Sequence, residues 1–268
     1  HRHPAKKGDE VVGAAVITHL ILPKGAERAA IPLLIGRALR AFVDGYVAVL
    51  LPAYLLALGM DTWTVGLVST ATLLGSALAT LAVGAWGHRF HNRRLLLFAA
   101  LLMTVTGLGF AGFSAFWPLL FVAFIGTLNP SSGDVSVFLP LEHSRLADAA
   151  QGDARTSLFA RYSLTGALFA ALGALAAAVP DWLVSLGVDR LVSFRAMFVV
   201  YALAGIAVWM LYRLLPEPLP HKRTAPPAPL GPSRGIVFGL AALFSIDAFA
   251  GGLVVNSLLA LWLFERHG

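Results

Sequence analysis

The chain has 268 residues, of which 58% are hydrophobic and only 13% are Asp, Glu, Lys or Arg, with a mean hydropathy of +0.77. Soluble domains carry about 25% charged residues, so this composition excludes a soluble globular enzyme, a disordered chain and, despite a net charge of +6, a nucleic-acid binder. Residues 62–87, 95–133, 162–180, 196–212 and 248–264 hold no charged side chain, and such lengths match a hydrocarbon core of ~30 Å.

Residues 1–31 come first and receive no role, because the apolar stretch 11–22 is short, interrupted by His19 and lacks a convincing cleavage site. Apolar runs and their punctuation then predict seven helices, over 32–59, 63–86, 95–114, 117–139, 157–179, 196–215 and 235–264. The links between them are mostly short, as at Gly59-Met60-Asp61-Thr62, which implies antiparallel neighbours. Residues 216–234 are too rich in proline for a helix and read as an extended linker between the sixth and seventh helices. Fifteen Lys and Arg residues fall on one side of these spans and three, Arg190, Arg195 and Arg266, on the other. The positive-inside rule therefore places the amino terminus and the loops after helices two, four and six in the cytoplasm of an inner-membrane, multi-pass protein. There is no cysteine, so thiolate chemistry and disulfides are excluded, and no spacing of metal ligands, nucleotide loop or nucleophile triad is present. The reading is of a non-enzyme with no metal and no cofactor. The chain starts without Met and ends just after an apolar run, which raises the expectation of a fragment.

An internal repeat relates residues 41–58 to 244–261 at an offset of 203. It places Asp44 on Asp247, Tyr46 on Phe249 and Leu55-Leu56-Ala57-Leu58 on Leu258-Leu259-Ala260-Leu261. The coincident acidic residue is the informative match, because a carboxylate inside a span is expensive. Six helices, a long linker and a seventh helix repeating the first are the parallel repeat of one class of secondary transporter. Between helices two and three, Gly84, Arg89, Arg93 and Arg94 fit a Gly-x-Leu-Ala-Asp-Arg-x-Gly-Arg-Arg pattern, with His88 in place of its Asp and His91 in place of a Gly. On these residues the chain resembles the major facilitator superfamily over about 32–268, with one bundle (32–215), the linker, and the first helix of a second bundle (235–268).

That resemblance implies an all-α membrane protein, about seven transmembrane helices of an expected twelve. It also implies a secondary active transporter that moves a small molecule, with protons, by alternating access through the lipid bilayer as a monomer. In the family the loop motif gates the cytoplasmic side, and His88 puts that latch in question or makes it pH-sensitive. A non-transporting scaffold or pH sensor is the alternative.

Ionisable residues within spans are the candidate site. Asp44 is either a proton carrier or a static partner of Arg40 one turn earlier, with Tyr46 beside it; Asp247 is its repeat equivalent. The stretch 127–134 is unusually polar for a span and Pro130 removes a helical hydrogen bond, so local unwinding is expected there, facing protein or water. Asp134 and Arg161 are expected at similar depth as an ion pair, or Arg161 snorkels to headgroups. Asn129, Tyr162, Ser163 and Thr165 either touch substrate or hydrogen-bond a neighbouring helix.

Overall fold

Pro32 suits a first helical turn, where its missing N–H is no loss, and α1 runs Ile31–Ala57 from there. The computed structural model describes residues 22–23, 25–129, 136–216, 231 and 234–252, with five scattered positions from 259 to 266. Gly59 ends the first span in the left-handed region (φ 84°), which a residue with a Cβ rarely adopts. Asp61 then caps α2 (Thr62–Trp86), accepting from the Thr64 N–H at 2.9 Å and its hydroxyl at 2.5 Å. Those bonds hold the Asp61 carboxyl below the usual carboxylate range. The cap is therefore complete at neutral pH and is lost only as the pH falls through that lowered value.

After a 3-10 turn at Gly87–Arg89 come α3 (Asn92–Gly112), α4 (Phe116–Ile125), α5 (Phe138–Ala149), α6 (Gly152–Ala176), α7 (Val179–Ser185), α8 (Arg190–Arg213) and α9 (Arg234–Gly252). Every regular element among the described residues is helical. Five stretches, Arg28–Ala57, Thr62–Trp86, Asn92–Gly112, Gly152–Ser185 and Arg190–Arg213, are long and apolar enough to cross a membrane.

The helix expected over 117–139 is not continuous. α4 stops at Ile125 after ten residues, about 15 Å and so about half of a hydrocarbon core. Gly126 turns extended (φ −71°, ψ −178°), residues 127–129 are non-helical, and Pro130 disfavours helical geometry at Asn129 before it. Among the described residues the next helix is α5, most of which the sequence reading left as loop. The fifth and sixth helices also start earlier than expected, at Gly152 and Arg190 rather than 157 and 196. Their first two turns carry Asp153, Arg155, Arg190 and Arg195, which an apolar reading excludes, although Asp189 caps α8 through the Leu191 and Val192 N–H groups.

α1 is the hub. It packs against both α6 and α8, α8 packs in turn on α3, and α2 pairs with α4. The α1–α6 contact is made by glycines: a Cβ on Gly45 would come within 2.2 Å of the Ala170 carbonyl oxygen, and one on Gly173 within 1.9 Å of that of Phe42. Small residues that let backbones meet are the usual glue where lipid supplies no hydrophobic drive.

Aromatic side chains divide by type. Trp63, Trp117 and Trp182 lie exposed where α2 and α4 begin and on α7, all at one end of the bundle, and Trp86 lies exposed at the basic end. That is the arrangement of membrane-interface belts. All five tyrosines, 46, 54, 162, 201 and 212, are instead buried among the helices.

Candidate functional site

A buried tyrosine needs a partner for its hydroxyl, and those partners trace a polar column through the bundle. Tyr54 donates to the Phe110 carbonyl at 2.5 Å and Tyr46 to the Met197 carbonyl at 2.9 Å, so Tyr46 ties α1 to α8. The Tyr201 hydroxyl lies 3.4 Å from Thr127 Oγ1, in the break of the fourth span. Thr127 also donates its N–H to Thr106 Oγ1 at 3.3 Å, which replaces a helical bond that the break removes. Asn129 is buried in the same break.

Asp44 connects to this break through Tyr201. It is within electrostatic reach of Arg40, Arg37 and Tyr201. The residue as a whole is half-buried, yet its Oδ1 is sealed from solvent and has no hydrogen-bond partner. A buried acceptor without a donor costs free energy on the order of 1–3 kcal/mol, and functional sites are where such costs are tolerated.

Toward the basic end lies a second cluster. Arg40 forms an ion pair with Glu142 of α5, and both side chains are essentially fully buried. The Glu142 carboxylate also accepts from the hydroxyls of Tyr162 on α6 and Tyr212 on α8. The Arg40 guanidinium lies 4.1 Å from the centre of the Phe138 ring, and Arg37 lies 5.1 Å from that of Tyr162. One carboxylate thereby joins four helices. Among the described residues, then, the cation that sequence reasoning offered to Asp44 belongs to Glu142. The reason is directional: helical side chains lean toward their own amino terminus, so the Arg40 rotamer that meets Glu142 points away from Asp44.

The other expected residues are spread out. Arg161 is half-buried on α6 and has a partner, while Asp134, its expected counterpart, lies outside the described residues. Asp247 is exposed on α9, apart from the Asp44 cluster. In the loop motif, Gly84 faces open space, Arg89 and Arg94 are exposed, and the His88 side chain is outside the described residues. Arg93 donates to the Arg213 carbonyl at 2.7 Å and so closes the end of α8, while its neighbour Asn92 donates to the Leu141 carbonyl of α5 at 3.0 Å. A largely apolar cavity of about 220 Å³ opens between α2, α3 and the break, lined among others by Ser76, Val83, Phe98, Leu102 and Thr127. Only Thr127 is common to the cavity and the tyrosine network.

Sequence reasoning missed Glu142, Tyr201 and Tyr212. The signal for Glu142 was present: Phe138, Leu141, Leu146 and Ala149 recur at helical spacing and are buried, and Glu142 lies on that face.

A family model described as the Major Facilitator Superfamily matches residues 33–267. The chain is also similar to an uncharacterised membrane protein of Saccharomyces cerevisiae, 27% identical over 182 residues, which are 67% of this chain and 41% of that protein. It is similar to a D-xylose transporter of Levilactobacillus brevis, 33% identical over 113 residues, which are 42% of this chain and 24% of that protein. The match thus spans less than half the length of either relative. No solved structure matches the chain.

Proposed function

Since the chain belongs to the major facilitator superfamily, we propose that it supplies one six-helix repeat, its linker and a seventh helix of a secondary transporter that moves a small molecule by alternating access, coupled to protons through Asp44. The observation that carries this reading is a fourth span interrupted at half depth beside a carboxylate whose Oδ1 is buried and unpartnered. Non-helical backbone at that depth is tolerated only against protein or a water-filled cavity. Its Thr127 and Asn129 groups, with Tyr201, offer neutral hydrogen-bonding partners to a solute while Asp44 offers a site for a proton. The excess of Lys and Arg supports a cytoplasmic basic end, and on this reading the protein works as a monomer in an inner membrane.

The relative from Levilactobacillus brevis makes D-xylose the first solute to assay. In the intact protein reconstituted into vesicles, Asp44→Asn is expected to lower accumulation driven by a pH gradient about tenfold or more, since a factor of ten is only about 1.4 kcal/mol of coupling. Solute exchange at equilibrium is expected to persist. Uphill accumulation retained with unchanged pH dependence removes Asp44 from coupling.

A further inference from the structure

We infer that Arg40 is a cation shared between two carboxylates, and that it exchanges Glu142 for Asp44 as the protein changes state. Glu142 is then a positioning residue for the Asp44 site, not merely a structural anchor. This deepens the reading of Asp44 given above and rests on it.

Four observations meet here. Arg40 is buried and paired through Nη2 to Glu142, while its Nε is buried without a hydrogen-bond partner. Asp44 lies one turn along the same helix, and its Oδ1 is likewise buried and without a partner. Residues four apart on a helix are neighbours on one face, so a change of Arg40 side-chain rotamer suffices to carry the guanidinium between them. Finally, the Tyr162 and Tyr212 hydroxyls already donate to Glu142 and remain when the cation leaves, so they offset part of the cost of the exchange, and the rest is met by the pairing of Arg40 with Asp44. Asp44 has Tyr201 nearby for the same purpose.

The charged and titratable groups around the pair come from every neighbouring element. Arg37 and Asp44 belong to α1, His143 and Glu142 to α5, Tyr162 to α6, and Tyr201 and Tyr212 to α8. α3 meets α5 through the neutral Asn92. Arg37 is half-buried and stacks on Tyr162, one turn nearer the basic end, whereas Arg40 is the fully buried cation between the two carboxylates. The exchange ties the state of the mid-depth site to α5, because the same guanidinium that serves Asp44 is withdrawn from the inner half of the interrupted span.

A double-mutant cycle on the intact protein tests this, read as the folded-to-unfolded ratio in detergent micelles at neutral pH rather than as transport. Asp44→Asn removes the competitor, so it is expected to leave that ratio unchanged or to raise it. Glu142→Gln is expected to be tolerated, because Arg40 turns to Asp44. The double variant Asp44→Asn/Glu142→Gln leaves Arg40 with neither carboxylate, and its ratio is expected to fall at least tenfold below the product of the single effects. Additive singles would overturn the proposal. So would failure of Glu142→Gln to fold while Asp44 is present, since Asp44 then does not take the cation. Asp44→Asn transport measurements judge proton coupling separately, so the two readings fail independently.

Discussion

Replacing Arg40 with Ala is expected to destabilise the protein by about 3–5 kcal/mol, because it leaves Glu142 buried among α1, α5, α6 and α8 without its cation. Taking a carboxylate out of water costs several kcal/mol even after relaxation. The Tyr162 and Tyr212 hydroxyls return part of that cost and no more, since they bring no charge. The loss also removes the stacking of the guanidinium on Phe138, which anchors the first turn of α5. Removing both charges in a paired Arg40→Met/Glu142→Leu variant is expected to recover much of the stability, because a buried pair contributes little net once desolvation is counted. Unfolding midpoints of the purified protein in detergent decide the matter. If Arg40→Ala is as stable as the parent, Glu142 does not depend on Arg40 and the four-helix junction is not held by charge.

Gly173→Val is the second large effect. A Cβ there would lie 1.9 Å from the Phe42 carbonyl oxygen, and that oxygen belongs to the backbone of α1, so no side-chain adjustment relieves the clash. α1 and α6 must separate, which takes Gly45 away from Ala170 and opens the face that holds Asp44 and Arg40. Overpacking of this kind costs about 1–3 kcal/mol. Gly84 supplies the control, since a Cβ there meets nothing within 4 Å. Gly84→Ala is expected to be neutral or to stabilise by up to about 1 kcal/mol, as Ala is the better helix former. Equal effects at the two sites would mean that α1 and α6 do not approach at Gly173.

These two sites also mark what was legible in the sequence. Helix existence was, because charge-free runs of span length have few alternatives in a chain this apolar. So was the fourth-span interruption, from Pro130 and the polar residues around it, although α4 ends at Ile125, earlier than the proline suggests. Gly166 and Gly173 could be read as packing residues from composition alone, and Gly166 proves to face the Arg37 side chain. The partner of Arg40 was not legible. Local spacing favoured Asp44 at four residues, while Glu142 lies 102 residues away on a helix that hydropathy alone had counted as loop. The orientation of helical side chains decides between them, and only the fold supplies the acceptor on the correct side. For the same reason the carbonyls and the Glu142 carboxylate that receive the tyrosine hydroxyls were not legible, since each lies on a helix distant in sequence.

Alternating access requires the interrupted fourth span to line a wet, mid-depth site that opens in turn to the two sides. These 268 residues contain no cysteine, so one introduced at Asn129 gives a clean report. In the intact protein, with cysteines outside this stretch replaced, Asn129→Cys is expected to react with a membrane-impermeant thiol reagent added from either face. Reaction from one face is expected to fall when solute or a pH gradient favours the other. His91→Cys, at an exposed position of the basic loop, is expected to react from one face only. Modification of Asn129→Cys from neither face, with His91→Cys reacting normally, would show that the break is sealed within the protein and is no part of a transport pathway.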